Sequence, residues 1–214
     1  MKKVQGYYFI TDASFSRRGV IVDTRTALAA GCRIAQYRAK GLSTRAMMTE
    51  AQQFVAVCRE HHATGIINDR LDIALTVGAD GVHLGQDDMP CIHARRLLGQ
   101  NAVIGVTVHS VEEATAALAD GASYLAVSPI FATTTKADAG TPVGPELVRR
   151  IRALTDIPIV AIGGITLENA PTVVAAGADA VCAISAVLCD DDVTGAVRRF
   201  IAATTPRATG DDAS

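Results

Sequence analysis

The sequence predicts a single (β/α)8 barrel, an α/β fold, on three observations. One motif recurs: a helical stretch ending in glycine, a short polar step, then an apolar run rich in Val and Ile. Its copies span 27–40, 76–88, 118–130 and 174–187, with the glycines at Gly31, Gly78, Gly121 and Gly177. Each glycine supplies the left-handed residue that ends a helix. Eight apolar runs of strand length are near-continuously hydrophobic, the pattern of parallel strands covered on both faces by helices. No linker-like segment divides the 214 residues, which leaves about 27 residues per unit, compact but sufficient for a barrel. An open doubly wound sheet is the competing arrangement, and its GxGxxG fingerprint after the first strand is missing.

The elements follow in order. YYFIT (7–11) is the first strand and ends at Asp12, and IAQYR (34–38) is the second, running into Arg38 and Lys40. A helix spans 43–62, started by Ser43 or Thr44. The third strand, GIIN (65–68), ends at Asn68, Asp69 and Arg70, and the fourth, GVHL (81–84), is followed by Gln86, Asp87 and Asp88. The fifth, VIGVTV (103–108), ends at Thr107 and His109. A capping box, SVEE, then opens a helix at Ser110 with Glu113 at its third position. YLAVSP (124–129) leads into a long loop, FATTTKADAGTPVG (131–144). IPIVAI (157–162) ends at Gly163-Gly164, and AVCAI (180–184) at Ile184-Ser185. The barrel domain is assigned to 1–204. The polar tail TPRATGDDAS (205–214) is expected to fray.

Composition excludes several classes. Hydrophobic residues make up 49%, enough for a sizeable core. Lys+Arg 20 against Asp+Glu 22 gives a net charge of −2, which argues against nucleic acid held by bulk charge. With no Trp and 4% aromatics there is no stacking platform for single strands. The longest apolar stretches fall short of the ~20 residues of a membrane span. The opening MKKVQGYYFITD lacks a cleavage site and is a poor signal peptide. Five cysteines, at 32, 58, 91, 182 and 189, form no CxxC. They read as reduced, buried small hydrophobes in a cytoplasmic protein, without zinc-ligand spacing.

In a barrel, all the polar strand ends above converge on the rim where such enzymes do their chemistry. The opposite rim receives bland turns such as Gly78-Ala79-Asp80. Asp69 and Asp88 come from adjacent strands and suit Mg2+, which keeps several waters and completes its shell with phosphates. A helix N-cap is the competing role for either, and spacing alone does not decide between Asp87 and Asp88. Gln36, Arg38 and Lys40 alternate, so they share one face of the second strand and its extension. A polar face on a buried strand is costly unless it lines a site, and this favours function over solvated charge. Gly163-Gly164 and Ile184-Ser185 fit either ordinary turns or a phosphate held by backbone N–H groups and a helix N-terminus. Thr133, Thr134, Thr135 and Lys136 lie in the longest loop, where hydroxyls and an ammonium suit a phosphate. His109 reads equally as an acid/base or a structural histidine. His83 reads as core, and His61 and His62 as helix surface.

These residues resemble those of the thiamine phosphate synthase family, over nearly the whole chain. The motifs are QYRAKG (36–41), IINDRLDIAL (66–75), GADGVHLGQDD (78–88), GVTVHS (105–110), SPIFATTTK (128–136), IPIVAIGGIT (157–166) and AGADAVCAISAV (176–187), in the family's order. The resemblance implies that the segment Gln36, Tyr37, Arg38, Ala39 and Lys40, with Asn68, holds a pyrimidine diphosphate. It makes Asp69 and Asp88 ligands of Mg2+, with Asp88 preferred over Asp87. Lys136 and Thr107 fall beside the pyrophosphate. Thr133, Thr135, Gly164, Ile184 and Ser185 fall at the phosphate of a thiazole substrate. Thr107 stands where the family usually has Ser, Tyr37 replaces a common Leu, and Ser128 and Ala132 replace Gly and Pro. By alternation the Tyr37 side chain faces away from Arg38.

The implied reaction is an alkyl transfer. The diphosphate leaves the pyrimidine's methylene carbon, and the thiazole nitrogen attacks the cation-like centre. Arg38, Lys40 and Lys136 are then the catalytic cations. Two other readings are a thiazole tautomerase and a non-catalytic sensor of a phosphorylated thiazole. Neither has a use for the metal acids and the diphosphate cations together. The partners implied are small molecules, with neither nucleic acid nor membrane and with a homo-oligomer left open.

Overall fold

The computed structural model describes residues 4–135 and 140–205. Eight strands alternate with helices: β1 (Gly6–Ile10), α1 (Val20–Ala29), β2 (Ile34–Tyr37), α2 (Thr44–Glu60), β3 (Thr64–Asn68), α3 (Leu71–Val77), β4 (Gly81–Leu84), α4 (Cys91–Leu98), β5 (Val103–Val108), α5 (Val111–Ala119), β6 (Tyr124–Val127), α6 (Gly144–Arg152), β7 (Ile159–Ile162), α7 (Ala170–Ala175), β8 (Ala180–Cys182), α8 (Ser185–Leu188) and α9 (Val193–Thr204). The strands close into one parallel barrel in sequence order. β8 returns to β1 through Gly6 opposite Ala180. The predicted barrel is the observed fold. The tail from 206 onward lies outside the described residues.

Strand ends follow from local chemistry. β4 and β5 match the expected runs residue for residue. β7 begins at Ile159 rather than 157, because Pro158 has no N–H for the ladder and contributes only its carbonyl, to Leu125 N–H at 3.0 Å. β8 stops at Cys182, because Ile184 already has helical angles as the cap of α8. α2 ends at Glu60 rather than 62, since His62 takes a left-handed φ of 53°. Gly31, Gly78, Gly121 and Gly177 all have positive φ, as expected of helix-ending residues.

Caps start the two helices that the sequence marked. Ser43 Oγ accepts from Ala46 N–H at 3.3 Å, and Ser110 Oγ accepts from Glu113 N–H at 3.1 Å. The second half of the expected capping box closes one residue further back: Glu113 Oε2 accepts from His109 N–H at 2.7 Å.

Alternation sorts the strand side chains into two layers. Tyr8, Ile10, Ile34, Ile66, Val103, Tyr124, Val160 and Cys182 pack together inside the barrel. Tyr7, Phe9, Tyr37, Ile67, Val82, Ile104, Leu125 and Val181 belong to the larger cluster shared with the helices. Two glycines are demanded by close approach. A Cβ on Gly81 would lie 1.7 Å from the Val103 carbonyl oxygen, and one on Gly105 would lie 2.0 Å from Tyr124 Cζ. Four cysteines are buried, but Cys189 is exposed and so departs from the expectation. It caps the C-terminus of the short α8, ahead of α9. Among the described residues, no helix is long and apolar enough to cross a membrane.

Candidate active site

The C-terminal mouth of the barrel holds a cavity of about 520 Å3. Its walls include Gln36, Arg38, Lys40, Asn68, Asp69, Asp88, Thr107, Thr133, Thr135, Gly164, Ile184 and Ser185, so positions scattered from 36 to 185 meet in one place. Two expected residues do not line it. Tyr37 points outward, its hydroxyl donating to Glu50 Oε2 at 2.6 Å and its ring packed on Phe54. Ala39 packs against the same outer cluster. Strand alternation is the reason: with Gln36 and Arg38 facing in, 37 and 39 face the helices. Lys136 lies outside the described residues.

The two acids are brought together by unrelated local devices. Asp69 adopts a left-handed φ of 59° while its N–H donates to the His83 carbonyl at 2.8 Å. That conformation is one Asp tolerates better than most residues. Asp88 sits in a tight turn, its Oδ2 accepting from Gly85 N–H at 2.7 Å, which folds the GQDD segment back toward the mouth. The carboxyls of Asp69 and Asp88 share a hydrogen bond, and Lys40 Nζ reaches Asp69 Oδ2 at 2.8 Å. Burial works to raise the Asp69 carboxyl, but the Lys40 ammonium and the bond with Asp88 outweigh it and hold it below its ordinary value. Burial pushes Asp88 up, with the Asp69 charge adding to it against the Gly85 N–H. Neither acid caps a helix: α3 is capped by Arg70 and α4 by Pro90. Asp87 also lines the cavity but is exposed.

The donor chemistry is that of a hard cation. Among the described residues no group of three His, Cys, Asp or Glu forms a complete protein shell. Two carboxylates with room for water and ligand oxygens suit Mg2+ and do not suit a closed zinc site.

Arg38 is anchored by a partner that the sequence reading left unassigned. Its Nη1 donates to Asp12 Oδ2 at 2.5 Å, and its backbone N–H donates to Thr11 Oγ1 at 2.8 Å. The Asp12 side chain is 5% exposed and that of Arg38 20%. The guanidinium is therefore held at the mouth by a buried charge.

On the opposite wall, loops from β6, β7 and β8 meet. Thr135 Oγ1 donates to Ser185 Oγ at 3.3 Å, and Thr135 N–H donates to Thr133 Oγ1 at 3.2 Å. The first turn of α8, like that of any helix, presents N–H groups without intrahelical acceptors. Gly164 has φ 64°, and a Cβ there would lie 2.5 Å from the Ala132 carbonyl oxygen. The glycine is thus required by the approach of the 131–135 segment, whatever ligand it also admits. Gly164→Ala is expected to cost about 2 kcal/mol in strain, which lowers Tm by roughly 4–8 °C for a chain of this size. A thermal melt matching the wild type would show that the two loops are not in tight contact.

The cavity floor is polar in a way the sequence reading did not foresee. Gln36 Nε2 donates to Tyr8 Oη at 3.0 Å, and Tyr8 Oη bonds Tyr124 Oη at 2.9 Å. Tyr124 Oη bonds His83 Nδ1 at 2.9 Å, and His83 Nε2 bonds Thr107 Oγ1 at 2.8 Å. His83 is buried, as expected, but it also lines the cavity. His109 lines it too, with Nδ1 bonded to the Ser128 carbonyl at 2.5 Å.

The sequence matches the family model described as thiamine monophosphate synthase over residues 7–187. It is similar to the thiamine-phosphate synthase of Chloroflexus aurantiacus, 50% identical over 197 residues covering 90% of this chain and 89% of that protein. It is also similar to the thiamine-phosphate synthase of Methanosarcina mazei, 48% identical over 195 residues covering 91% and 81%. Among solved structures, a thiamine phosphate pyrophosphorylase from Pyrococcus furiosus superposes with a TM-score of 0.86 at 37% identity, covering 94% of this chain and 95% of that one.

Proposed function

The chain belongs to the thiamine monophosphate synthase family, transferases of thiamine biosynthesis, and from that premise we propose that it condenses hydroxymethylpyrimidine diphosphate with a thiazole phosphate, releasing pyrophosphate in a Mg2+-dependent alkyl transfer. The observation that carries this reading is the meeting, in one cavity, of two neighbouring carboxylates, two cations and a separate hydroxyl- and glycine-lined corner. One corner suits a diphosphate and the other a monophosphate, with the barrel floor between them.

Each residue then has a distinct task. Gln36, Arg38, Lys40 and Asn68 hold the pyrimidine diphosphate. Lys40, whose ammonium stands beside Asp69 at the mouth, supplies a cation to the diphosphate. Asp69 and Asp88 hold Mg2+, which when bound neutralises charge on the leaving diphosphate. Thr133, Thr135, Ser185 and the Gly164 and Ile184 backbone hold the thiazole phosphate and so aim the ring nitrogen at the methylene carbon. The carbon–oxygen bond to the diphosphate breaks first. The ring nitrogen, which already has a lone pair, then attacks without a general base. Arg38 and Lys40 act on charge that grows as the bond breaks. A unit charge about 4 Å from a diphosphate oxygen contributes about 4 kcal/mol at an effective dielectric near 20. Half of that, realised only in the transition state, is about 30-fold in rate. Lys136 is assigned to the same leaving group by its place in the family motif.

The deciding experiment is a pyrophosphate-release assay with both substrates and Mg2+. Release that requires both substrates and is abolished by chelation is the expected outcome. A tautomerase or a sensor would release none, and that result ends the proposal.

A further inference from the structure

We infer that Tyr124, acting with Tyr8 and His83, is a positioning residue that joins Gln36 to Thr107 across the cavity and sets, through the His83 tautomer, which side of the Thr107 hydroxyl faces the ligand. The inference deepens the proposed function and rests on it, since it assigns a task to groups behind the pyrimidine diphosphate subsite.

A hydroxyl has one hydrogen and two lone pairs, and a neutral imidazole carries one hydrogen on its two nitrogens. The Gln36 amide donates to Tyr8 Oη. Either hydroxyl can donate in the Tyr8–Tyr124 link, and the directions of the two His83 links follow the imidazole tautomer. With the imidazole hydrogen on Nε2, Tyr124 donates to Nδ1, Nε2 donates to Thr107 Oγ1, and the Thr107 hydroxyl hydrogen is left for the cavity. A donor at Thr107 is what an anionic leaving group needs. With the hydrogen on Nδ1 the two His83 links reverse together, and a Thr107 lone pair faces the diphosphate instead. Tyr124, donating to Nδ1, holds the first tautomer, and a low local dielectric strengthens that coupling.

Tyr124 is the informative member. Gln36, Tyr8, His83 and Thr107 all line the cavity, whereas Tyr124 does not, and it is fully buried. Its hydroxyl is held between Tyr8 and His83, with the His83 ring stacked on it at 5.7 Å. It lies where a Cβ on residue 105 would fall 2.3 Å from Oη, so the glycine in β5 makes its place. A group hidden from ligand that joins two cavity walls acts through others.

The alternative is that the chain merely satisfies buried polar atoms, as any interior must. The two readings separate in a double-variant cycle. Tyr8 and Thr107 stand at opposite ends, with Tyr124 and His83 between them, and independent sites multiply their effects. Tyr124→Phe, Tyr8→Phe and Thr107→Val each keep side-chain shape and remove one hydroxyl. Each is expected to lower kcat/KM for the pyrimidine diphosphate about tenfold and to leave KM for the thiazole phosphate unchanged. The Tyr8→Phe/Thr107→Val double variant is expected to be no worse than the worse single variant. Losses that multiply to about 100-fold, or a Tyr124→Phe enzyme with wild-type kinetics, would overturn the inference. The same cycle on the affinity for inorganic pyrophosphate with Mg2+, by calorimetry, reads the coupling without turnover. A wild-type protein that releases no pyrophosphate from the two substrates would end the functional proposal, while the calorimetric cycle still decides the relay.

Discussion

Asp88→Ala is expected to lower kcat by about 30-fold or more with the barrel intact. The side chain closes only a local turn through Gly85 N–H and supports no helix, so the fold has little to lose. The carboxyl pair has more to lose, because Asp69 alone cannot hold a cation that Lys40 competes for. Asp88→Asn sharpens the test. A raised acid contributes stability that is fully present below its unfolded value and is lost as pH rises through the folded one. Asp88 is such a group, although it titrates with Asp69 as a pair. At neutral pH, removing its charge should therefore raise the Tm of the metal-free protein while activity falls. Mg2+ should raise the Tm of the wild type and not that of the variant. The wild-type acid limb should move to lower pH as Mg2+ increases, because metal and proton compete for the same oxygens. Wild-type turnover by Asp88→Ala at saturating Mg2+ would remove this residue from the mechanism.

The barrel was legible because each of its devices is local. Gly31, Gly78, Gly121 and Gly177 end helices by backbone conformation alone, and GVHL and VIGVTV are too apolar for anything but a covered parallel strand. Where boundaries moved, a single residue moved them: Pro158 lacks a donor, Ile184 is already helical, and His62 turns left-handed. The rim residues were legible for a related reason. Once the strands are parallel and closed, every strand end points to the same mouth, and the polar steps after β2, β3 and β4 have to meet.

What was not legible depends on register across the barrel. Asp12 lies beyond β1 and Arg38 beyond β2, and they face each other only because Ile10 pairs with Gln36. A reading of single strands does not supply that pairing. Tyr8 and Tyr124 sit in apolar runs, where bulk explains them, and their hydroxyls become informative only when His83 is seen between Tyr124 and Thr107. Gly164 shows the opposite error. A glycine at a phosphate corner invites a ligand-based account, but the Ala132 carbonyl already forbids a side chain there. Tyr37 and Ala39 fell into the expected site because they neighbour Arg38 in sequence. The pleat turns them to the outer layer.

The second large effect is expected at Arg38, where activity and stability depend on the same atom. Arg38→Ala leaves the Asp12 carboxylate buried with its main charge partner gone. Breaking such a pair costs about 3 kcal/mol, the low end for buried pairs, since Arg38 is partly exposed. For a chain of this length that is roughly 6–12 °C in Tm. The same change removes a cation from the diphosphate, worth about 30-fold or more in kcat. Asp12→Ala on the Arg38→Ala background separates the two losses. Removing the stranded carboxylate should recover most of the Tm, because the double variant buries no unpaired charge. It should recover none of the activity, because no cation returns to the mouth. Asp12→Ala alone should fall between, with Arg38 present but no longer held in place by a fixed partner, so that KM for the pyrimidine diphosphate rises more than kcat falls. If the double variant regains turnover along with Tm, the guanidinium is a structural group and the diphosphate is held by Lys40 and the metal pair instead.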